Sequence, residues 1–171
     1  EVTADQGRKP KHDANGKPSV VYVQDLLDHW LGEAKARVIL PITDPYVVHH
    51  GALGSFATAY LHAEVDITEI IEKLSNIEGI LLVINKSEAV KRFDLQTDRI
   101  GDIVIISTEN MTLGTSVDRH DLEALKEPLR SHGGLTEQEV PFIVNRKIDL
   151  PEVPNLRNYD AFFYASIAAN T

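Results

Sequence analysis

The fold class follows from one short run, Gly79-Ile80-Leu81-Leu82-Val83-Ile84-Asn85. Five consecutive apolar residues between glycine and asparagine are too few for most helices and are typical of a buried strand. A second run of the same kind, IVII at residues 103–106, follows about one helix length later. The two runs predict two buried strands in the core of an α/β domain.

Helical patterns alternate with these strands. The spacing of Val23, Leu26 and Leu27, continued by Trp30 and Leu31, predicts a helix with one apolar face that Gly32 ends. Asp66, with a glutamate three residues later, predicts a capped helix over 66–76. Further elements are predicted as strands at 37–40 and 57–62, a helix to residue 93 capped by Ser87, a strand at 140–145 and a helix within 159–169.

Composition narrows the function classes. The chain has 171 residues, 43% of them hydrophobic, and no apolar run near the roughly 20 residues that span a bilayer. Its net charge of −9 argues against nucleic acid as the main partner, because phosphate backbones are bound mostly through basic side chains. With no cysteine, any bound metal needs Asp, Glu or His ligands. We therefore expect a cytoplasmic protein that binds neither membrane nor nucleic acid.

Two positions are candidates for chemistry. Asp5 follows a short β-favouring piece, and strand ends that open into loops are where α/β folds bind ligands and metals. His132 precedes two glycines, which leave room for backbone or ligand. From the residues alone, a turn-forming aspartate and a simple His-Gly-Gly turn are the more frequent alternatives.

Three longer stretches carry a family resemblance: ITDPYVVHHGALGSF at 42–56, SHGGLTEQEVPF at 131–142 and NLRNYD at 155–160. They resemble the phosphonoacetate hydrolase family, which belongs to the alkaline phosphatase superfamily near its nucleotide pyrophosphatase/phosphodiesterase branch. The resemblance implies an α/β/α sandwich, of which this chain is the carboxyl-terminal part with an inserted α/β cap lobe. It implies core-domain residues at 1–34, the cap lobe at 35–115 and a return to the core domain at 116–171.

The resemblance also implies a reaction and a site. The family hydrolyses the P–C bond of phosphonoacetate to acetate and phosphate, with two zinc ions and a threonine nucleophile. His132 matches a histidine ligand of one zinc, and Asp5 matches an aspartate ligand of the other. A small phosphonate substrate is implied, and a homodimer is left open.

The chain departs from the family pattern beside Asp5. Gln6 stands where the family has a histidine ligand, and Arg8 stands in place of a methionine. The threonine nucleophile, the remaining zinc ligands and the substrate-binding lysines are expected in a preceding portion. We therefore expect a partial or degenerate hydrolase that is inactive alone, with no catalytic residue of its own. The alternatives are a non-catalytic α/β binding or assembly domain and an unrelated small-molecule-binding module.

Overall fold

The structure, a computed structural model, describes residues 11–12, 16–41, 53–123, 129, 131–143 and 156–169. It divides into two compact units, a larger one of residues 5–140 and a smaller one of residues 1–4 and 141–171. None of the helices in these described ranges is long and apolar enough to cross a membrane. The cap-lobe limits at 35–115 stay a prediction.

Among its described residues, the larger unit contains six strands and three α-helices. The strands are β1 (Val20–Tyr22), β2 (Ala36–Ile39), β3 (Phe56–Leu61), β4 (Ile80–Asn85), β5 (Ile103–Ser107) and β6 (Thr112–Gly114), and the helices are α1 (Val23–Leu31), α2 (Ile67–Ser75) and α3 (Lys86–Phe93). Four strands form an antiparallel sheet in the order β2-β3-β5-β4, and β1 pairs with β6 in parallel. The predicted α/β class is confirmed.

The sheet is covered on both faces. All five residues of β5 are buried, and its four apolar residues alternate between two hydrophobic clusters. Ile103 and Ile105 belong to the cluster that α1 and α2 cover, whereas Val104 and Ile106 belong to the cluster that α3 covers. Burial on both faces explains why an antiparallel strand has the continuous apolar sequence usually seen in parallel sheets.

The sheet order corrects one prediction, that the run at 80–84 is a buried strand. This run is only partly buried, and Leu81 is 49% exposed. The reason is that β4 is an edge strand of the four-stranded sheet, so part of it faces solvent.

The ends of the helices show which local sequence signals correctly predicted where a helix begins or ends. Helix α1 ends at Gly32, with a φ of 86°, and the Asp66 side chain accepts hydrogen bonds from the amides of Thr68 and Glu69 at the start of α2. These predictions are confirmed. The predicted cap of α3 by Ser87 is wrong, because Asn85 ends β4 in an extended conformation and its side chain accepts the Glu88 amide at 3.0 Å.

A buried turn fastens β3 to β5. The Thr58 hydroxyl accepts the Gly101 amide at 2.8 Å and donates to the Ile103 carbonyl at 3.1 Å. A Cβ on Gly101 would lie 2.5 Å from the carbonyl oxygen of Ala59, so only glycine fits this close backbone approach. Asp102 completes the turn by accepting the Leu61 amide at 2.8 Å.

The smaller unit is described at residues 141–143 and 156–169. Helix α4 (Asp160–Ala169) lies within the predicted range and confirms that prediction. Its Tyr164 is buried and contacts the rings of Phe142 and Phe163 edge-on. The predicted strand at 140–145 is wrong at residues 140–143, which have no strand structure, in keeping with the missing N–H of Pro141; residues 144–145 lie outside the described residues.

The Thr58 hydroxyl gives a first test of the fold. Thr58→Val keeps the shape of the side chain but leaves the buried Gly101 amide without its acceptor, which costs about 1–3 kcal/mol. Thr58→Ser keeps the hydroxyl and loses one methyl group, for a cost of about 1 kcal/mol. Urea unfolding should therefore rank the valine variant below the serine variant. The opposite order would show that the hydroxyl does not fasten the turn.

Candidate functional site

His132, a predicted zinc ligand, lies on an exposed loop between two buried residues. Ser131 is 1% exposed and Gly134 is buried, whereas the His132 side chain and Gly133 are exposed. Gly133 has a φ of 90°, in the region that non-glycine residues rarely adopt. The loop therefore presents the imidazole at the surface while its two ends are fixed in the fold.

Residues 53–55 hold the first end of this loop. The Ser55 amide donates to the His132 carbonyl at 2.8 Å, and the Ser131 hydroxyl donates to the Leu53 carbonyl at 3.1 Å. Gly54 in turn pairs with Leu113 of β6 in an antiparallel bridge. Two of the stretches that carry the family resemblance, at 42–56 and 131–142, therefore contact each other directly through described residues.

A short 3-10 turn, Leu135–Glu137, holds the other end. A Glu137 carboxylate oxygen accepts the Gly134 amide at 2.9 Å, and the Glu137 amide donates to the Gly134 carbonyl at 3.2 Å. Glycine followed three residues later by glutamate has the spacing of a capping box. That spacing is the signal by which sequence reasoning could have found Glu137, which it missed.

A groove of about 430 Å³ lies beside the loop. The residues that line it are Phe56, Phe93, Leu95, Ile106, His132, Gly133, Gly134, Leu135, Glu137 and Gln138. Half of this lining is large and apolar, and no lysine or arginine occurs among these described residues. The groove alone therefore offers an anion one imidazole and no permanent positive charge.

The described residues supply one of the two predicted metal ligands. Within them, no three His, Asp or Glu side chains are placed to hold one metal ion together. Asp5 and Gln6 lie outside the described residues. The exposed imidazole of His132 fits the contribution of a single nitrogen ligand, and a complete zinc site needs further ligands. The pairing of Asp5 and His132 in one site stays a prediction.

A second group of titratable side chains lies around Tyr22, and none of its members lines the groove. The Tyr22 ring lies 6.1 Å from the His120 ring, and His120 Nε2 accepts the Thr115 amide at 2.9 Å. Burial, followed by the nearby Asp25 carboxylate, raises the pKa of Tyr22, which Lys17 partly opposes. His120 is buried and accepts a hydrogen bond from Thr115, the residue that follows β6. These side chains therefore stabilise the segment after β6.

The backbone of Gly133 allows a test of the loop conformation. Gly133→Ala places a side chain at a φ of 90°, which costs about 1–2 kcal/mol. Gly134→Ala is the matched control, because its new methyl group would meet neighbouring atoms no closer than 3.6 Å. Amide hydrogen exchange at 132–137 should accelerate only in the Gly133 variant. Equal exchange in both variants would contradict the positive φ at Gly133.

Comparisons with known proteins show what this chain is similar to. No family model matches the chain. Two solved structures of phosphonoacetate hydrolase from Sinorhizobium meliloti 1021, one in complex with phosphonoformate and one with phosphonoacetate, match it with a TM-score of 0.82. Each match has 68% sequence identity and covers 95% of this chain but 40% of the solved chain. Over nearly all its length the chain is therefore similar to a part of phosphonoacetate hydrolase, which confirms the resemblance predicted from the sequence.

Proposed function

We propose that this chain is part of a phosphonoacetate hydrolase, which cleaves phosphonoacetate to acetate and phosphate. In this hydrolysis the P–C bond breaks, phosphorus gains an oxygen from water and the released carbon gains a proton. The observation that carries the proposal is the 68% identity over 95% of the chain. The chain spans 40% of the matched enzyme, so the rest of the catalytic machinery is expected outside it.

Within that enzyme, we assign His132 to one zinc ion and Asp5 to the other. Zinc, when bound, would supply the positive charge that activates the nucleophile and offsets the negative charge that develops on the phosphonate oxygens. The lack of lysine and arginine in the described groove lining supports this need for metal charge. The backbone carbonyl of His132 accepts the Ser55 amide, and an imidazole nitrogen is a common zinc ligand. The expected cytoplasmic location stays a prediction.

A non-catalytic binding or assembly domain is the second candidate. Gln6 favours it, because a carboxamide oxygen is a poorer zinc ligand than the imidazole expected there. The two candidate functions predict different results when the chain is joined to the rest of the enzyme, because only the hydrolase should then turn over phosphonoacetate. We therefore base the test on a chimera, defined as the S. meliloti enzyme whose matching segment is replaced by these 171 residues.

The isolated chain should not hydrolyse phosphonoacetate. It contains two predicted ligands, Asp5 and His132, whereas a catalytic zinc usually has three protein ligands. Phosphate release from the zinc-loaded chain should equal that of a blank without enzyme, and the S. meliloti enzyme serves as the positive control. Zinc-dependent, saturable turnover by the chain alone would contradict the assignment of the missing machinery to another segment.

The chimera tests the metal assignments. We expect Gln6→His to restore a second bound zinc and much of the rate, whereas His132→Ala should remove the other zinc. The loss of a direct zinc ligand should weaken zinc binding by more than the roughly 10- to 100-fold that is typical when a residue hydrogen-bonded to a ligand is replaced. The measurements are bound zinc per protein and turnover of phosphonoacetate. If Gln6→His changes neither, Asp5 is a turn residue, and if no chimera turns over, the non-catalytic candidate is favoured.

A further inference from the structure

The backbone on both sides of His132 is fixed by side chains that the family resemblance does not assign. Ser131 acts on the preceding side, where its buried hydroxyl donates to the Leu53 carbonyl at 3.1 Å. Glu137 acts on the following side, where its carboxylate accepts the Gly134 amide at 2.9 Å. The His132 carbonyl is itself bonded to the Ser55 amide. The exposed imidazole thus belongs to a loop that is held at residues 131, 132 and 134.

These bonds connect the loop to the rigid part of the larger unit. The Ser55 carbonyl accepts the amide of Ser107, the last residue of β5, at 2.9 Å. The Gly54 carbonyl accepts the Leu113 amide of β6 at 2.7 Å. Residues 53–55 are therefore bonded to two strands on one side and to the His132 loop on the other. Loss of the Ser131 hydroxyl would remove one of the bonds that join the loop to these residues.

The Glu137 carboxylate supplies a hydrogen-bond acceptor for the Gly134 amide. Gly134 is buried, so its amide needs an acceptor inside the protein. A charged acceptor makes a stronger bond to a backbone amide than a neutral one does. Glycine can adopt more backbone conformations than other residues, and Gly133 lies between His132 and this bond with a φ of 90°. The carboxylate therefore restrains a loop whose sequence is otherwise permissive.

We propose that Glu137 and Ser131 are positioning residues for His132, which fix the backbone that carries its imidazole beside the groove. The inference rests on the proposed function, because it assigns the imidazole to the metal site of that reaction. Neither residue is a catalytic residue, since both act through the backbone of the loop. Their effect is to present the imidazole in one arrangement, so that binding does not have to order the loop.

The first experiment uses the 171-residue chain without metal. In Glu137→Leu, the Gly134 amide should exchange about tenfold faster or more, since it has lost its acceptor, and NMR relaxation should show a more mobile His132 ring. Glu137→Gln keeps an acceptor oxygen at the same reach and should restore slow exchange. Glu139→Leu removes an exposed glutamate of the same segment and serves as the control. Ser131→Ala should loosen the loop from its other side.

The second experiment puts the same substitutions into the chimera carrying Gln6→His. The zinc concentration that gives half-maximal turnover should rise about 10- to 100-fold in Glu137→Leu and return toward the starting value in Glu137→Gln. Circular dichroism checks that each variant is folded. Unchanged exchange, ring mobility and zinc dependence in Glu137→Leu would overturn this inference alone. A chimera without zinc-dependent turnover would instead overturn the proposed function, whatever the exchange data show.

Discussion

The burial of β5 on both faces is the constraint on which the larger unit depends. Its side chains alternate between the two clusters, so the strand can be central only if each face has its own cover. Helices α1 and α2 cover one face, and α3 covers the other. The strand also needs neighbours on both edges, which β3 and β4 provide. Thr58 and Gly101 secure the entry of the chain into this strand.

The candidate site lies on the face that α3 covers. Ile106 of β5 and Phe56 of β3 belong to that cluster or contact it, and both line the groove beside His132. The end of β5 also bonds to residue 55, which bonds to the loop. The imidazole is therefore placed by the same strand that organises the core. A disturbance of the packing around Ile106 should reach the loop through the groove wall as well as through these hydrogen bonds.

Most of the regular structure could be predicted because its signals are local. Apolar spacing indicated α1, and the Asp66 cap with its following glutamate indicated α2. The short strands β1 and β6 were missed, because three residues are too few for a periodic pattern and their pairing joins distant segments. The exposure of Leu81 was missed for a related reason, since sheet order decides which strand lies at an edge.

The features of the candidate site also divide into those with a local sequence signal and those that depend on the folded chain. His132 could be chosen as a candidate from its motif, because a family resemblance is a property of the sequence itself. The partners of its backbone could not, since residues 53–55 come close to it only after β3, β5 and β6 have formed. Glu137 is an intermediate case. Its spacing from Gly134 is a local signal, but the burial that makes the bond necessary depends on the whole fold.

The negative charge of the chain limits how the groove could bind an anionic substrate. The chain has a net charge of −9, and the described lining of the groove includes the Glu137 carboxylate but no lysine or arginine. A phosphonate with a carboxylate is itself strongly anionic, so this surface would repel it if nothing else contributed. An imidazole that acts as a metal ligand resolves the conflict, because a divalent ion placed there reverses the local charge. On the proposed assignment, His132 would act through the cation that it helps to hold, and a loop that keeps its backbone in one conformation would serve that role.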